Sequence, residues 1–227
     1  MKKYDRNYKI QLYKTEEEQL EAINKDPYSI KYIKNPSEEI KLAAVKREAW
    51  IIKYIKNPSE EIQLEAVKRY GYTIRCIKNP SEKVQLAAVQ QNGYVIQHIK
   101  NPSKEIQLAA VKQDGWLIQF SKNPTEEIQL KSVQQNATSI VYIENPTKKV
   151  QLEAVKKNGY VIEYIKNPSE EVQLEAVKND GYAIQCIKNP SEKVIRTAIL
   201  NGASKKDLNH VDISDLSDET RLMIELL

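Results

Sequence analysis

The sequence is poor in the residues that most often carry chemistry. Among 227 residues it holds two cysteines, Cys76 and Cys186, two histidines, His98 and His210, one phenylalanine and six glycines. Two cysteines are too few for a disulfide framework. Neither histidine has a second metal ligand at helical spacing. There is no phosphate-binding loop, no G-x-G-x-x-G, and no local Ser-His-Asp or Cys-His set. The chain is therefore expected to be no enzyme, to need no cofactor or metal, and to take no small-molecule substrate. No stretch approaches the roughly 18 apolar residues of a membrane span. The opening MKKYDRNYKIQLYK lacks the apolar core of a secretory signal. Neither sign of charge dominates, with 35 Lys+Arg against 31 Asp+Glu, and a net charge of +4 does not by itself call for a nucleic-acid or membrane partner. The expected place is the cytoplasm of the producing or infected bacterial cell, away from membranes.

What the chain has is a period. Asn-Pro recurs at Asn35, Asn57, Asn79, Asn101, Asn123, Asn145, Asn167 and Asn189, always 22 residues apart. A period of this size marks an array of supersecondary units. The unit reads N-P-S-E-E-I-Q-L-A-A-V-K-Q-N-G-Y-x-I-x-x-I-K, with a degenerate first copy from Thr15 and a last one that loses register after Gly202. Its punctuation predicts two helices. Asn57 fits an N-cap, Pro58 the first helical position and Glu60 the third, completing a capping box. The first helix, about twelve residues, is expected to end at Asn-Gly, as in Asn92-Gly93, with the glycine left-handed. The second, about two turns from Tyr72 to Lys78, stops at the next Asn-Pro. Ile62, Leu64, Ala66 and Val67 share one apolar arc, and Tyr72, Ile74 and Ile77 another. So short a second helix is not stable alone, and stacking must bury it. The fold class that follows is all-α: an α-solenoid of nine 22-residue helix-turn-helix repeats with terminal caps. The expected layout is one elongated domain over 1–227, with an N-terminal cap at 1–14, repeats at 15–203, and a linker and C-terminal capping helix at 204–227.

The run QLAAVQQNGYVIQHIKNPS, Gln85 to Ser103, resembles the short helical repeat family catalogued as domain of unknown function 4116. The resemblance extends from about Thr15 to Gly202. It implies an α-helical repeat and no particular activity. Similarity to leucine-rich-variant repeats, which also use short proline-led units, is more distant.

Four series of residues repeat with the period. Gln63, Gln85, Gln107, Gln129, Gln151 and Gln173 fall within the apolar arc, so each amide is expected to bond backbone in a neighbouring turn. Lys34, Lys56, Lys78, Lys100, Lys122, Lys166 and Lys188 precede Asn-Pro. Such a ladder suits a phosphate backbone, or else answers the helix C-terminus and the next unit's glutamates. The glutamate pairs, such as Glu38-Glu39 and Glu170-Glu171, suit the helix dipole better than acid–base catalysis. On the second helix, pairs four residues apart share a face: Trp50/Tyr54, Tyr72/Cys76, Tyr94/His98, Trp116/Phe120, Thr138/Tyr142, Tyr160/Tyr164 and Tyr182/Cys186. The near-constant first position suits packing between units. The variable second position suits solvent or a tuned binding surface. The two cysteines of the series are expected to be buried packing residues.

The region 120–144 breaks the pattern: Phe120, Ser121, Lys131, Ser132, Ala137, Thr138 and Glu144 all depart from consensus. Lost apolar volume predicts a local change of twist or bend near residues 120–144. The candidate partner-binding residues are Trp50, Lys53, Tyr54, Arg75, His98, Trp116, Gln119, Phe120, Lys131, Tyr142, Glu144 and Tyr164. The expected function is a non-enzymatic scaffold that binds a protein partner, with nucleic acid as the alternative. Lys-, Ile-, Asn- and Tyr-rich usage and near-identical units suit an accessory protein of a phage or mobile element that blocks a host factor.

Overall fold

A computed structural model describes residues 15–227. The expected N-terminal cap at 1–14 lies outside the described residues. The fold is an all-α solenoid of repeated helix pairs, with no strand among the described residues. The first eight repeats each set a ten-residue α-helix before a six-residue 3-10 helix, as in Glu60–Arg69 with Gly71–Cys76, or Lys148–Lys157 with Gly159–Tyr164. The repeats fall into two compact units, Met1–Ala110 and Val111–Leu227.

The second helix is narrower than an α-helix. Its bonds run between residues three apart, as from Thr73 N–H to the Tyr70 carbonyl and from Ile77 N–H to the Ile74 carbonyl, both 3.0 Å. Six residues are too few for an α-helix to satisfy its own termini, and 3-10 geometry closes bonds in a shorter span. The start of this helix is capped from the corner. Asn158 Oδ1 accepts from Tyr160 N–H, and Asp180 Oδ1 from Tyr182 N–H, both at 3.0 Å. One extended corner residue thus ends the α-helix and opens the 3-10 helix.

Three details of the expected punctuation are corrected. The Asn-Pro asparagine is not the N-cap. Asn35, Asn57, Asn79, Asn101, Asn123, Asn167 and Asn189 adopt φ of 47–55°, the left-handed region that asparagine tolerates best after glycine. The cap is the serine or threonine two residues on: Ser37 Oγ accepts from Ile40 N–H at 3.3 Å. Proline therefore precedes the cap, and the third helical position is Ile62 rather than Glu60. A reciprocal capping box does close in the first copy, between Thr15 and Glu18. Finally, the corner glycine is not left-handed. A Cβ at Gly71 would lie 2.7 Å from the Ala88 carbonyl oxygen, so close approach of the next helix demands glycine there.

The cap serine also ties repeats together. Ser81 Oγ donates to Glu60 Oε1 and Ser37 Oγ to Glu16 Oε1, both at 2.5 Å, in the first unit. In the second unit Thr147 donates to Glu126 at 2.5 Å and Ser191 to Glu170 at 2.6 Å. The first glutamate of each pair is thus an inter-repeat acceptor as well as a partner of the dipole.

In the first unit Ile40, Ala44, Val45, Ile62, Ala66, Val67, Val84, Ala88 and Val89 form the buried α-helical stripe, facing Ile51, Ile52, Ile74, Val95 and Ile96 of the 3-10 helices. The second unit repeats this with Val150, Ala154, Val155, Val172, Ala176 and Val177 against Ile140, Val161, Ile162 and Ile184. Burying one such isoleucine or valine stabilises by about 1.5–3 kcal/mol, which compensates for the weak local propensity of a six-residue helix. Leu64 and Tyr72, placed on the apolar arcs by periodicity, are only half-buried.

The glutamine series behaves as its position requires. Nε2 of Gln63, Gln85, Gln107, Gln129, Gln151 and Gln173 donates to the carbonyl of Pro58, Pro80, Pro102, Pro124, Pro146 and Pro168, at 2.9–3.1 Å. Each amide holds its helix to the connector that precedes it.

The departures at 126–142 leave the element lengths intact, with an α-helix at Glu126–Gln135 and a 3-10 helix at Ala137–Tyr142. Ser132 is fully buried, and its Oγ lies 2.8 Å from the Gly115 carbonyl and 2.6 Å from Ser139 Oγ. Ser132 has one proton to give, and the Gly115 carbonyl and Ser139 Oγ share it as acceptors. Two polar substitutions in one repeat therefore satisfy each other.

After Glu192–Leu200 the chain forms a short 3-10 helix, Lys205–Leu208, and a final α-helix, Asp218–Glu225, capped by Ser217. The last helix packs on Glu192–Leu200. Thr220 Oγ1 donates to Glu192 Oε1 at 2.5 Å, and Arg196 grips Glu219 through two bonds of 2.8 and 2.9 Å.

Candidate functional site

Most of the candidate residues lie on the 3-10 helices, and the reason is the repeat geometry. The 3-10 helix turns Ile51 and Ile52, or Val161 and Ile162, inward. The first aromatic and the residue four positions later are left at the surface. In the first unit Tyr28, Tyr54, Tyr70 and Tyr94 are 38–47% exposed. In the second, Trp116, Tyr142, Tyr160, Tyr164 and Tyr182 are 38–46% exposed.

The two series interlock between repeats. The first aromatic of one repeat meets the variable position of the next: Tyr28 with Tyr54 at 6.2 Å, Tyr72 with His98 at 5.7 Å, and Trp116 with Tyr142 at 5.7 Å, all edge-on. Such pairs add about 0.5–1.5 kcal/mol beyond burial. The variable position therefore tunes the seam as well as the surface. Trp50 extends the first unit's cluster through Tyr70, at 5.4 Å, and Tyr70 reaches Tyr72 at 5.8 Å. Tyr70 is absent from the candidate set although it stands where other repeats place Asn, Asp or Glu at the corner; that departure is its signal. Without a capping side chain it leaves its 3-10 helix uncapped by any side chain.

Charge on this face is local. Lys31 Nζ lies 4.0 Å from the centre of the Tyr54 ring and Lys53 Nζ 4.9 Å from it. The two ammonium groups, Lys31 first, lower the Tyr54 phenol pKa, and Tyr54 in turn raises that of Lys53. Burial, and then the Arg75 guanidinium, holds His98 below the usual histidine value, which favours its neutral form. Burial raises the Cys186 thiol, with Glu163 adding to it. A thiol held protonated is a poor nucleophile. Both cysteines are half-buried rather than buried as expected, because their position is the open one of the helix face.

Of the candidate residues, Trp50, Lys53, Tyr54, Arg75 and His98 share the 3-10 face of the first unit. Trp116, Gln119, Phe120, Tyr142 and Tyr164 share that of the second. Gln119 Nε2 donates to the Trp116 carbonyl at 3.1 Å, and Phe120 is half-buried. Lys131 stands apart on the α-helix Glu126–Gln135, and Glu144 lies in the connector after Tyr142.

The lysines of the ladder are all exposed, and none forms an ion pair among the described residues. They do not answer the following unit's glutamates. The first glutamate of each pair takes the next serine or threonine instead.

No group of three or more His, Cys, Asp or Glu among the described residues is arranged to hold a metal ion. No helix among them is long and apolar enough to cross a membrane. Comparisons with protein-family models, curated proteins and solved structures gave no match.

Proposed function

We propose that the chain is a non-enzymatic binding scaffold that recognises a protein partner through the aromatic face of its 3-10 helices. The observation that carries this reading is the row of half-open tyrosine and tryptophan rings in each unit. Aromatic side chains supply large contact area at low entropic cost and dominate interface energetics. Tyr28, Tyr54, Trp116 and Tyr142 are held by edge contacts between repeats, so less ordering of these rings remains to oppose binding. Interfaces of this kind need no catalytic group. A composition and near-identical units that suit a phage or mobile element support a bacterial host factor as the partner. The test is capture of bacterial proteins on immobilised chain, wild type against Tyr94→Ser/Tyr160→Ser/Tyr182→Ser, with circular dichroism to show both are folded. Specific capture lost in the variant supports the reading; capture unchanged by the substitutions overturns it.

One observation favours nucleic acid as the second reading. The exposed, unpaired lysines Lys34, Lys56, Lys78 and Lys100 in one unit, and Lys122, Lys166 and Lys188 in the other, leave charge free for phosphates. Fluorescence anisotropy with a labelled oligonucleotide at low and high salt decides it. Tight binding that weakens steeply with salt supports this reading, and binding that is absent at low salt rejects it.

A further inference from the structure

The second unit carries a cleft of about 530 Å³ between two successive connectors, lined among others by Ser121, Lys122, Gln129, Tyr142 and Glu144. Its composition is unlike that of the same cleft four periods earlier. There, Ile33, Lys34, Lys41, Tyr54 and Lys56 line about 520 Å³. At corresponding positions serine replaces isoleucine, glutamine replaces a lysine, and glutamate replaces the ladder lysine.

Two residues that line the cleft carry polar atoms without partners. Ser121 Oγ and Gln129 Oε1 are buried without a hydrogen bond. Gln129 already spends Nε2 on the Pro124 carbonyl at 3.0 Å, so what it has left is an acceptor. The oxygen of Gln107 shares this state, but only Gln129 has a hydroxyl where the other repeats place isoleucine. A buried polar group left unmade costs about 1–3 kcal/mol, and a ligand that bonds it recovers that cost. Glu144 adds a carboxylate with no ion pair among the described residues, and Tyr142 adds an aromatic ring that is 39% exposed. Lys122 stands exposed at the rim as the single cation of the five.

We infer that this cleft receives a guanidinium group, an arginine side chain of the protein partner. The group is planar, has five donors and no acceptor, and stacks on aromatic rings. The Glu144 carboxylate takes its N–H groups and Tyr142 offers the ring, and Gln129 and Ser121 turn their closed-off oxygens into the cleft to take the rest. The inference rests on reading the chain as a protein-binding scaffold, and its test uses a free probe, so that failure here leaves the aromatic face untouched.

The probe is Nα-acetyl-arginine methylamide, titrated into the full chain and followed by nuclear magnetic resonance at the Gln129 side-chain amide. Nα-acetyl-citrulline methylamide, equal in shape and uncharged, is the control. The arginine probe is expected to shift the Gln129 resonance saturably, and the citrulline probe to bind about tenfold more weakly. Ser121→Ile/Glu144→Lys, which restores the residues of the other repeats, should abolish the shift while the far-ultraviolet spectrum stays unchanged. Glu144→Gln, which preserves shape, should weaken binding about tenfold. No saturable shift in the wild type, equal binding of both probes, or binding that survives both sets of substitutions overturns the inference.

Discussion

Gly115 packs so closely against the following helix that a Cβ on it would stand 2.4 Å from the Ser132 carbonyl oxygen. The obstacle is backbone, not the far end of a flexible side chain, so the helix itself must move to admit a methyl group. Gly115→Ala lowers unfolded-state entropy by about 0.4–1 kcal/mol, but the overpacking it creates costs about 1–3 kcal/mol, and the second effect wins. The substitution should lower stability by about 1–2 kcal/mol in urea titration. Ala137 occupies the same register and is buried, so Ala137→Gly serves as the reverse control. A Gly115→Ala chain as stable as wild type would show that the stack gives way freely.

The Ser132–Ser139 pair predicts non-additive energetics. Ser132→Ala alone removes the donor to the Gly115 carbonyl and leaves Ser139 buried without its partner. The cost should be about 1–3 kcal/mol. The double change Ser132→Ala/Ser139→Val restores what neighbouring repeats carry and should be close to neutral. A thermodynamic cycle over both sites should give a coupling of about 1 kcal/mol or more. Strictly additive effects would show that the two hydroxyls act independently.

The period, the two helices per unit and the glutamine series were legible in the sequence, because each follows from spacing alone. An amide forced into an apolar stripe has only backbone to bond, and the Pro58 or Pro146 carbonyl five residues back is within its reach. The cap was misplaced by two residues for a physical reason. Asparagine and serine are both strong N-caps, and only the φ of 47° at Asn57 separates the left-handed corner from the cap at Ser59. The 3-10 character of the second helix was also hidden, since six residues do not distinguish a period of 3.0 from 3.6. Ser139 was overlooked because its position varies widely, from Ile51 and Thr73 to Leu117 and Ala183, so a serine there raised no signal without its partner Ser132. The candidate face was readable as a face; that a first aromatic meets the next repeat's variable residue, as Tyr72 meets His98, was not, because periodicity within a helix says nothing of the neighbour's offset.

The glutamine series should contribute evenly to stability. Gln151→Ala removes one bond to the Pro146 carbonyl and part of a half-buried stem. A single hydrogen bond of this kind is worth about 0.5–1.5 kcal/mol net, so a loss of about 1 kcal/mol in urea titration is expected. Gln85→Ala should cost a similar amount, since its bond to Pro80 has the same length, 2.9 Å. Neither change should alter ligand capture, because both side chains lie off the 3-10 face.

The final helix predicts a pH dependence with a definite sign. Glu192 accepts from Ser217 Oγ, Thr220 Oγ1 and the Ser217 N–H, and these bonds hold its pKa below the ordinary glutamate value, the Ser217 hydroxyl contributing most. In the unfolded chain those donors are gone and the pKa returns to that ordinary value. A carboxylate with the lower pKa in the folded state stabilises fully above the unfolded value, and the contribution is lost as pH falls through the folded one. Glu192→Gln removes the charge-assisted bonds at every pH. The melting temperature of the variant should therefore lie below that of wild type at neutral pH, and the gap should close below the ordinary carboxylate range. Removing residues 217–227 removes the donors themselves and uncovers the side of Glu192–Leu200 that Ile224 and Thr220 pack on. That truncation should melt lower than Glu192→Gln at neutral pH and stay lower in acid, because lost packing does not titrate. A truncated chain whose melting temperature matches wild type throughout would show that the last helix is no cap, and a pH-independent gap for Glu192→Gln would show that its hydrogen bonds do not act through charge.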